Sequence, residues 1–201
     1  DRGADCAVFT HVSNVFGYIL PIEEMAALCR KYGVPFVLDA AQSAGSLPVK
    51  LGELGADFVA MPGHKGLLGP QGTGILLCGC QPEPLLAGGT GSESASPRMP
   101  AFLPDRVEPG TLNVPGIAGL DAGLRYLLSV ETDTVFRREP LAAMTCAKEL
   151  QRLGLRVFAG EHQAGTVSFV PPMDCELMAN ALAQKGVAVR AGLHCAPLAH
   201  E

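Results

Sequence analysis

Three side chains in the sequence belong to types that form or control covalent bonds in catalysis. Asp39 closes the apolar run Phe36-Val37-Leu38, Lys65 stands in a glycine-containing turn, and Cys195 lies near the carboxyl end of the chain. A lysine that is reachable as a neutral amine condenses with carbonyl compounds, and a thiolate attacks electrophilic sulfur. A carboxylate near them can pair with a cationic group. Residues of these types are candidates for covalent catalysis by an amine and a thiol.

Short apolar runs position these groups in the first half of the chain. Their composition predicts buried strands at residues 6–10, 35–39, 57–61 and 74–78. A helix is predicted over residues 21–33, and residues 49–55 form a helix or a loop. This alternation predicts an α/β fold with a largely parallel sheet. Ligands of such sheets bind beyond the carboxyl ends of the strands, where Asn14, Asp39 and Lys65 fall.

The second half of the chain begins with a long irregular segment. Residues 81–115 are dense in Gly, Pro and Ser, which is typical of a functional loop. Helices are predicted at residues 116–130 and 134–153, and Pro140 should start or kink the second of them. A small α/β unit follows, with a capped helix at residues 174–185. Its predicted strands are residues 155–159, 165–170 and 187–190.

The overall composition excludes several classes of function. The chain has 201 residues, of which 48% are hydrophobic, so it can bury a substantial core. Fifteen basic and twenty acidic side chains give a net charge of −5, and basic residues occur at most in pairs, which argues against nucleic acid as a partner. No apolar stretch approaches the roughly 20 residues that a bilayer span needs, and no signal-peptide pattern is present. We expect a soluble protein without a membrane partner.

The cysteines indicate a reducing compartment. Seven cysteines are scattered along the chain, an odd number that suggests no disulfide framework, and reduced thiols in the cytoplasm fit best. Cys78 and Cys80 end an apolar run without a Cys/His pair at zinc spacing to complete a site. We interpret them as structural, and we expect no metal centre.

Two motifs carry a resemblance to a known group of enzymes. Asp39 is followed by Ala40-Ala41-Gln42, and Lys65 stands in Pro62-Gly63-His64-Lys65-Gly66. Together they resemble the fold-type I pyridoxal-phosphate enzymes, which implies that Asp39 pairs with the pyridine nitrogen and that Lys65 forms the Schiff base. Taken singly, Asp39 is more simply a turn cap and Lys65 a surface lysine. The matching offsets of Gln42 and His64 favour the cofactor site.

Further segments narrow the resemblance to the cysteine desulfurase branch of the class V aminotransferases. They are Thr10-His11-Val12-Ser13-Asn14 and Glu108-Pro109-Gly110-Thr111-Leu112-Asn113. The likeness implies that Asn14 and Gln42 hydrogen-bond the cofactor or its phenolate oxygen and that His64 donates to the phosphate. It also implies fold-type I architecture, with part of the large domain, lacking its N-terminal portion, at residues 1–130. A linking helix and part of the small C-terminal domain then occupy residues 131–201.

Thr111 links this resemblance to oligomeric state. By the likeness it reaches the phosphate of the neighbouring subunit, which implies a homodimer because neither pocket is then complete alone. A hydroxyl that caps the helix beginning near Val114 is a compatible simpler role for it. For His11 we favour a packed histidine near the site over a catalytic one.

The segment around Cys195 predicts the reaction. Arg190-Ala191-Gly192-Leu193-His194-Cys195-Ala196-Pro197 resembles the segment that bears the active cysteine in desulfurases that also act on selenocysteine. It implies that Cys195, on an exposed loop, attacks the sulfur of L-cysteine and holds it as a persulfide for an acceptor protein. His194 and Arg190 would favour the thiolate and orient the substrate. A buried structural cysteine is the common alternative.

Two departures from the family pattern qualify the prediction. Pro62 stands where family members carry a phosphate-binding serine, and it offers neither hydroxyl nor N–H. The family's phosphate-binding turn, ring-stacking aromatic residue and main substrate arginine have no counterpart in these residues, so we expect weak cofactor binding and little turnover from them alone. Other interpretations are a class V aminotransferase or epimerase, a selenocysteine lyase, or an inactive fragment that only dimerises.

Overall fold

The computed structural model describes residues 3–130 and 132–200 of the chain. A four-stranded sheet forms the body of the molecule, from β1 (Ala7–Thr10), β2 (Phe36–Asp39), β3 (Phe58–Pro62) and β4 (Gly74–Cys78). The strand order follows the chain order. The first three strands are parallel, whereas β4 is antiparallel to β3. The largely parallel α/β sheet predicted from the sequence is confirmed.

The reversal at β4 follows from the length of its connection. A parallel strand after β3 would need a crossover of about a dozen residues or more, usually through a helix. Residues 63–73 instead form a tight double turn, in which the Gly63 N–H donates to the Thr73 carbonyl at 2.8 Å and the Gly69 N–H donates to the Gly63 carbonyl at 2.7 Å. The chain therefore returns directly along β3.

Helix α1 (Ile22–Tyr32) covers one face of the sheet. Pro21 is its N-cap, acidic side chains occupy its first turn, and Gly33 ends it with φ 65°. Ile22, Ala26 and Cys29 recur at helical spacing and are its buried residues. They pack with Phe36, Leu38 and Val59 from the sheet in one hydrophobic core. The predicted helix and its stop at Gly33 are confirmed.

The other face of the sheet is open in the part of the chain that the structure describes. Side chains alternate between the two faces of a strand, so Leu38 points into the core and Asp39 points to the open side. On that side Val8 is 66% exposed and Leu76 is 49% exposed. Parallel strands are normally covered on both faces. Asp39 thus lies at the carboxyl end of an uncovered apolar surface.

Two helices lead from the sheet towards the carboxyl half. After a single-turn helix, α2 (Leu51–Leu54), and the long irregular segment, α3 (Val114–Ser129) adds Leu120 and Leu127 to the core. Helix α4 (Thr132–Arg152) follows, with Pro140 inside it. The helix predicted at residues 134–153 is confirmed; Pro140 does not start it, and the kink predicted there as the alternative stays a prediction. Alanines after Pro140 favour helix and let it continue past the lost backbone hydrogen bond.

A smaller unit completes the described chain. It contains an antiparallel pair, β5 (Arg156–Phe158) and β6 (Ser168–Val170), and helix α5 (Cys175–Ala183). The strand predicted at residues 187–190 is wrong, because these described residues pair with no neighbouring strand. A strand needs a partner for its backbone groups. The predicted domain boundary falls at residue 131, outside the described residues.

Candidate active site

The carboxyl ends of β1, β2 and β3 lie side by side, and backbone hydrogen bonds continue from them into the loops that follow. The His11 N–H donates to the Asp39 carbonyl at 2.9 Å, and the Ala40 N–H donates to the Ala60 carbonyl at 2.9 Å. The three loops therefore leave from one edge of the sheet. These loops carry the polar residues singled out in the sequence, namely Asn14, Gln42, His64 and Lys65.

The Asp39 carboxylate is anchored at the end of its strand. Its Oδ1 atom accepts a hydrogen bond from the Ala41 N–H at 2.9 Å, and the residue is exposed. The turn-cap interpretation of Asp39 is thereby confirmed. A carboxylate has two oxygens and about four acceptor sites. The turn bond orients the group and leaves acceptor capacity for a cationic partner.

Two glycines bring the turn after β2 against the turn after β3. A Cβ atom on Gly45 would lie 2.1 Å from the Gly66 carbonyl oxygen, and one on Gly66 would lie 2.2 Å from the Ala44 carbonyl oxygen. Gly45 also has φ 86°. Only glycine permits this approach of two backbones. The close contact sets the position of Lys65 relative to the end of β2.

Gln42 and Lys65 share one cavity as a result. The cavity has a volume of about 380 Å³. Sequence analysis missed the other polar side chains that line it, which come from the β2 turn, from α4 and from the segment before β6: Ser46, Glu139 and Thr166. Nothing in their local sequence marks them, because they meet only where the smaller unit approaches the sheet.

Asp39 lines a different, more open cavity. Its volume is about 450 Å³, and Pro62, Leu76 and Glu108 also line it. Asp39 and Lys65 thus follow neighbouring parallel strands, but they face separate cavities of the described chain. The Glu108 motif lies on the Asp39 side, and Gln42 lies on the Lys65 side.

His64 and Lys65 stand in the tight turn after β3. Both are exposed. The Leu68 N–H donates to the Lys65 carbonyl at 2.9 Å, and Leu68 itself has φ 59°. Pro62 is the last residue of β3 and pairs with Gly74. The turn therefore presents the imidazole and the amine to solvent next to each other.

His11 is buried beneath this edge. Its exposed fraction is 5%, and its Nδ1 atom has no hydrogen-bond partner among the described residues. Burial lowers the pKa of the imidazole, and the nearby carboxylate of Glu23 opposes that shift. The interpretation of His11 as a packed histidine near the site is confirmed.

The loop after β1 joins the sheet to the smaller unit. The Gln163 amide donates to the Phe16 carbonyl at 2.8 Å. The Ala164 N–H donates to the Gly17 carbonyl at 2.8 Å. A Cβ atom on Gly17 would lie 2.3 Å from the Thr166 carbonyl oxygen. The smaller unit is therefore docked against the strand edge that carries the candidate site.

Asn14 reaches the segment that bears the cysteine. Its Nδ2 atom donates to the His194 carbonyl at 2.7 Å, across 180 residues of sequence. Cys195 is exposed. His194 and Cys195 have φ 53° and φ 60°, and the Ala196 N–H donates to the Leu193 carbonyl at 2.9 Å. The structure thus joins the turn that bears Cys195 to the loop that follows β1.

Two predicted residues remain apart from these contacts. Arg190 and Thr111 are both exposed. The prediction that Thr111 caps α3 is wrong, because the Asn113 side chain accepts from the Gly116 N–H at 3.1 Å. Asn113 directly precedes the helix, as an N-cap residue must. The phosphate-binding role of Thr111 stays a prediction.

The described residues contain neither a metal cluster nor a membrane-spanning helix. No group of three or more His, Cys, Asp or Glu side chains in residues 3–130 and 132–200 lies close enough to hold a metal ion. None of the helices in this part of the chain has the length and apolar character to cross a bilayer. All seven cysteines are free thiols.

Known protein families offer an independent comparison. The class-V aminotransferase family matches residues 2–201. A probable cysteine desulfurase of Pyrococcus abyssi is 35% identical over 206 residues, which cover 97% of this chain and 51% of the relative. One from Methanothermobacter thermautotrophicus is 35% identical over 210 residues, covering 98% and 52%. The chain spans about half the length of the curated relatives it matches.

Solved structures give the same picture. The apo structure of cysteine desulfurase from Thermococcus onnurineus NA1 superposes with a TM-score of 0.87 at 34% identity, covering 96% of this chain and 51% of that one. The cysteine desulfurase CsdA from Escherichia coli superposes with a TM-score of 0.76 at 26% identity, covering 93% and 48%. The fold described above is therefore shared with these enzymes.

Proposed function

The chain belongs to the class-V aminotransferase family, and from this premise we propose that the protein is a pyridoxal-phosphate-dependent cysteine desulfurase. It converts L-cysteine to L-alanine and retains the sulfur as a persulfide on Cys195. The observation that carries the proposal is the 2.7 Å hydrogen bond from Asn14 to the His194 carbonyl. Through it the turn that bears the exposed Cys195 thiol contacts the loop that follows β1.

The side chains at this edge have the chemistry that pyridoxal phosphate needs, and its ring would have to bridge the separate cavities that Lys65 and Asp39 line. Asp39, oriented by its 2.9 Å turn bond, would pair with the ring nitrogen, and Lys65 would hold the aldehyde carbon. Asn14 and Gln42 supply amide donors, and His64 would donate to the phosphate. Pyridoxal phosphate, when bound, withdraws electrons from the Cα atom of an amino acid. A carboxylate, an amine and amide donors are the set that this chemistry requires.

Cys195 performs the sulfur transfer. Its thiolate attacks the sulfur of the substrate, a sulfur–sulfur bond forms, and the bond between the substrate sulfur and its Cβ breaks. The electron pair stays with the substrate carbon, which takes up a proton and becomes the methyl group of alanine. The Lys65 amine moves the proton at Cα. Arg190 and His194 favour the thiolate and orient the substrate.

The wider setting of the enzyme follows from the same proposal. Residues 1–130 form part of the large cofactor-binding domain, and residues 131–201 form the linking helix and part of the small domain. Thr111 completes the phosphate site of a partner subunit, so the active form is a homodimer. Free cysteines fit a cytoplasmic protein. The persulfide sulfur passes to an acceptor protein.

The decisive experiment compares two cysteine variants of the full-length protein in the presence of pyridoxal phosphate. Cys195→Ser should reduce the release of alanine from L-cysteine by more than about a thousandfold, because serine cannot accept the sulfur. Cys146→Ser, which alters another exposed thiol, is the matched control and should leave the rate unchanged. Alanine is quantified by mass spectrometry. Full alanine release by Cys195→Ser would reject Cys195 as the sulfur acceptor, whereas a protein that forms the keto acid of cysteine in place of alanine would be a transaminase.

The cofactor is tested separately by absorbance. The protein loaded with pyridoxal phosphate should show an absorbance band at about 420 nm, because the cofactor is bound through Lys65. The Lys65→Ala variant should lack this band. A band that persists in Lys65→Ala would place the cofactor on another amine. This measurement requires no turnover.

A further inference from the structure

The turn that bears Cys195 has an unfavourable backbone conformation. The Ala196 N–H donates to the Leu193 carbonyl at 2.9 Å, which closes a four-residue turn. The central residues His194 and Cys195 both have positive φ, at 53° and 60°. Type I′ turns share this pattern and strongly prefer Asn-Gly at these positions. A histidine and a cysteine adopt it at a steric cost, so contacts from outside the turn must stabilise it.

Apolar packing contributes little of that stabilisation. Leu193 is 57% exposed and Leu198 is 79% exposed, and Cys195 itself is exposed. The segment before the turn, residues 187–190, is exposed and forms no strand in the described structure. A polar contact to the body of the molecule is therefore important for the position of the turn.

Asn14 makes a polar contact with this turn from a loop that has hydrogen bonds of its own. Its Nδ2 atom donates at 2.7 Å to the carbonyl of His194, the first central residue of the turn. The Ser13 N–H donates to the Tyr18 carbonyl at 3.0 Å, and the Ser13 hydroxyl accepts from the Phe16 N–H at 3.1 Å. Asn14 thus lies in a loop that is closed on itself and attached to β1.

We propose that Asn14 is a positioning residue for Cys195: its carboxamide holds the His194-Cys195 turn against the strand edge and so sets the location of the thiol. This inference rests on the proposed function for the role of Cys195 in sulfur transfer. The Asn14 amide has a second N–H, so the same side chain can also serve the cofactor site predicted for it. One residue then couples the cofactor to the nucleophile.

The test measures the turn directly by hydrogen–deuterium exchange in the full chain. Asn14→Asp keeps the shape of the side chain but replaces the donor with a carboxylate. We expect the amides of residues 193–196 to exchange about tenfold faster in this variant, as for the loss of one hydrogen bond. Ser13→Ala is the matched control, because it removes a hydrogen bond from the same loop without touching the turn. It should leave exchange in the turn unchanged.

A second substitution distinguishes positioning from general loss of structure. His194→Asn keeps the backbone carbonyl and places at the turn a residue that tolerates positive φ. In the Asn14→Asp background it should restore most of the slow exchange. The rate of alkylation of Cys195 should likewise be higher in Asn14→Asp than in the wild type or in Ser13→Ala. If Asn14→Asp exchanges like Ser13→Ala, or if residues 193–196 exchange at the unprotected rate in the wild type, the positioning role is overturned.

Kinetics add a readout that separates this inference from the function on which it rests. With L-cysteine, Asn14→Asp should lower kcat with little change in KM. Exchange and alkylation need neither cofactor nor substrate. A full-length, cofactor-loaded wild type that forms no alanine rejects the proposed function alone, whereas unchanged exchange in Asn14→Asp rejects the positioning role alone.

Discussion

The two regions that carry the proposed chemistry are built in different ways. The turns after β2 and β3 pack backbone against backbone, with glycine at each close approach. The turn that bears Cys195 is exposed and passes through two non-glycine residues with positive φ. Packing therefore positions the residues proposed to hold the cofactor, whereas polar contacts position the proposed nucleophile.

The difference matches the demands of the two tasks. Groups that hold a cofactor need positions accurate to a fraction of an ångström, which rigid elements supply. A thiol that accepts sulfur and then delivers it to another protein must be accessible from outside. Segments that move in function come from the less stable parts of a fold. The predictions that follow measure how firmly different parts of the molecule are packed. They begin with the largest expected effect.

Gly66→Ala should be strongly destabilising. Its Cβ atom would lie 2.2 Å from the Ala44 carbonyl oxygen, so one of the two turns must move. We expect the free energy of unfolding to fall by about 3 kcal/mol, as for severe overpacking against the backbone. Urea unfolding followed by circular dichroism measures the change. Gly52→Ala is the control, because nothing lies within 4 Å of a Cβ atom there.

The control has a prediction of its own. Gly52 lies in the helical segment Leu51–Leu54, where alanine is the better helix former, so Gly52→Ala should be neutral or slightly stabilising. Equal stabilities for Gly66→Ala and wild type would show that the two turns are not rigidly packed. The contrast with the Cys195 turn would then disappear.

Asp174→Ala should have a smaller effect that is confined to the smaller unit. The Asp174 carboxylate accepts from the Glu176 N–H at 3.0 Å and from the Leu177 N–H at 3.1 Å. Loss of such a cap costs about 1 kcal/mol. Because α5 contains no buried residue, we expect the amides of α5 to exchange faster in the variant. The exchange rates of the sheet should not change. Equal acceleration in β2 would indicate one cooperative unit.

Substitution of His11 should have the smallest effect on the free energy of unfolding, and the effect should appear only as the pH falls below the ordinary pKa of histidine. Burial lowers its pKa below the ordinary value of 6.5. As the pH falls through 6.5, the unfolded state takes up a proton before the folded state does, so the free energy of unfolding decreases until the folded pKa is reached. His11→Asn should flatten the profile in that window. Urea midpoints measured between about pH 7 and about pH 5 check this.

Glu23→Gln sharpens the same test. The Glu23 carboxylate favours protonated His11, so its removal should lower the His11 pKa further and extend the acid-side loss to lower pH. A profile that is identical in wild type and His11→Asn would show that His11 does not titrate differently in the folded state. The surroundings of His11 would then be more hydrated than the 5% exposure of this residue indicates.

Sequence reasoning was accurate where the information is local. The strand at Gly74–Cys78 was predicted with its observed bounds, and α1 ends at Gly33 as expected. An apolar run bounded by glycine or proline determines the secondary structure of the few residues it contains. Such elements can therefore be predicted from the sequence alone. The family resemblance was equally local, since it lay in short motifs.

The errors came from features that depend on a partner. Residues 187–190 have a strand-like composition, but no neighbouring strand pairs with them in the described structure. Thr111 and Asn113 both precede α3, and only Asn113 reaches the Gly116 N–H. Composition does not reveal which neighbour satisfies a backbone group.

By itself the sequence determined the types of reactive group and their order along the chain, because side-chain chemistry and hydrophobic period belong to each segment separately. It also determined the largely parallel sheet. Only the tertiary structure decided that Gln42 and Lys65 share a cavity and that Asn14 meets His194 across 180 residues. Those contacts depend on how loops from distant segments pack, and no local pattern records that geometry.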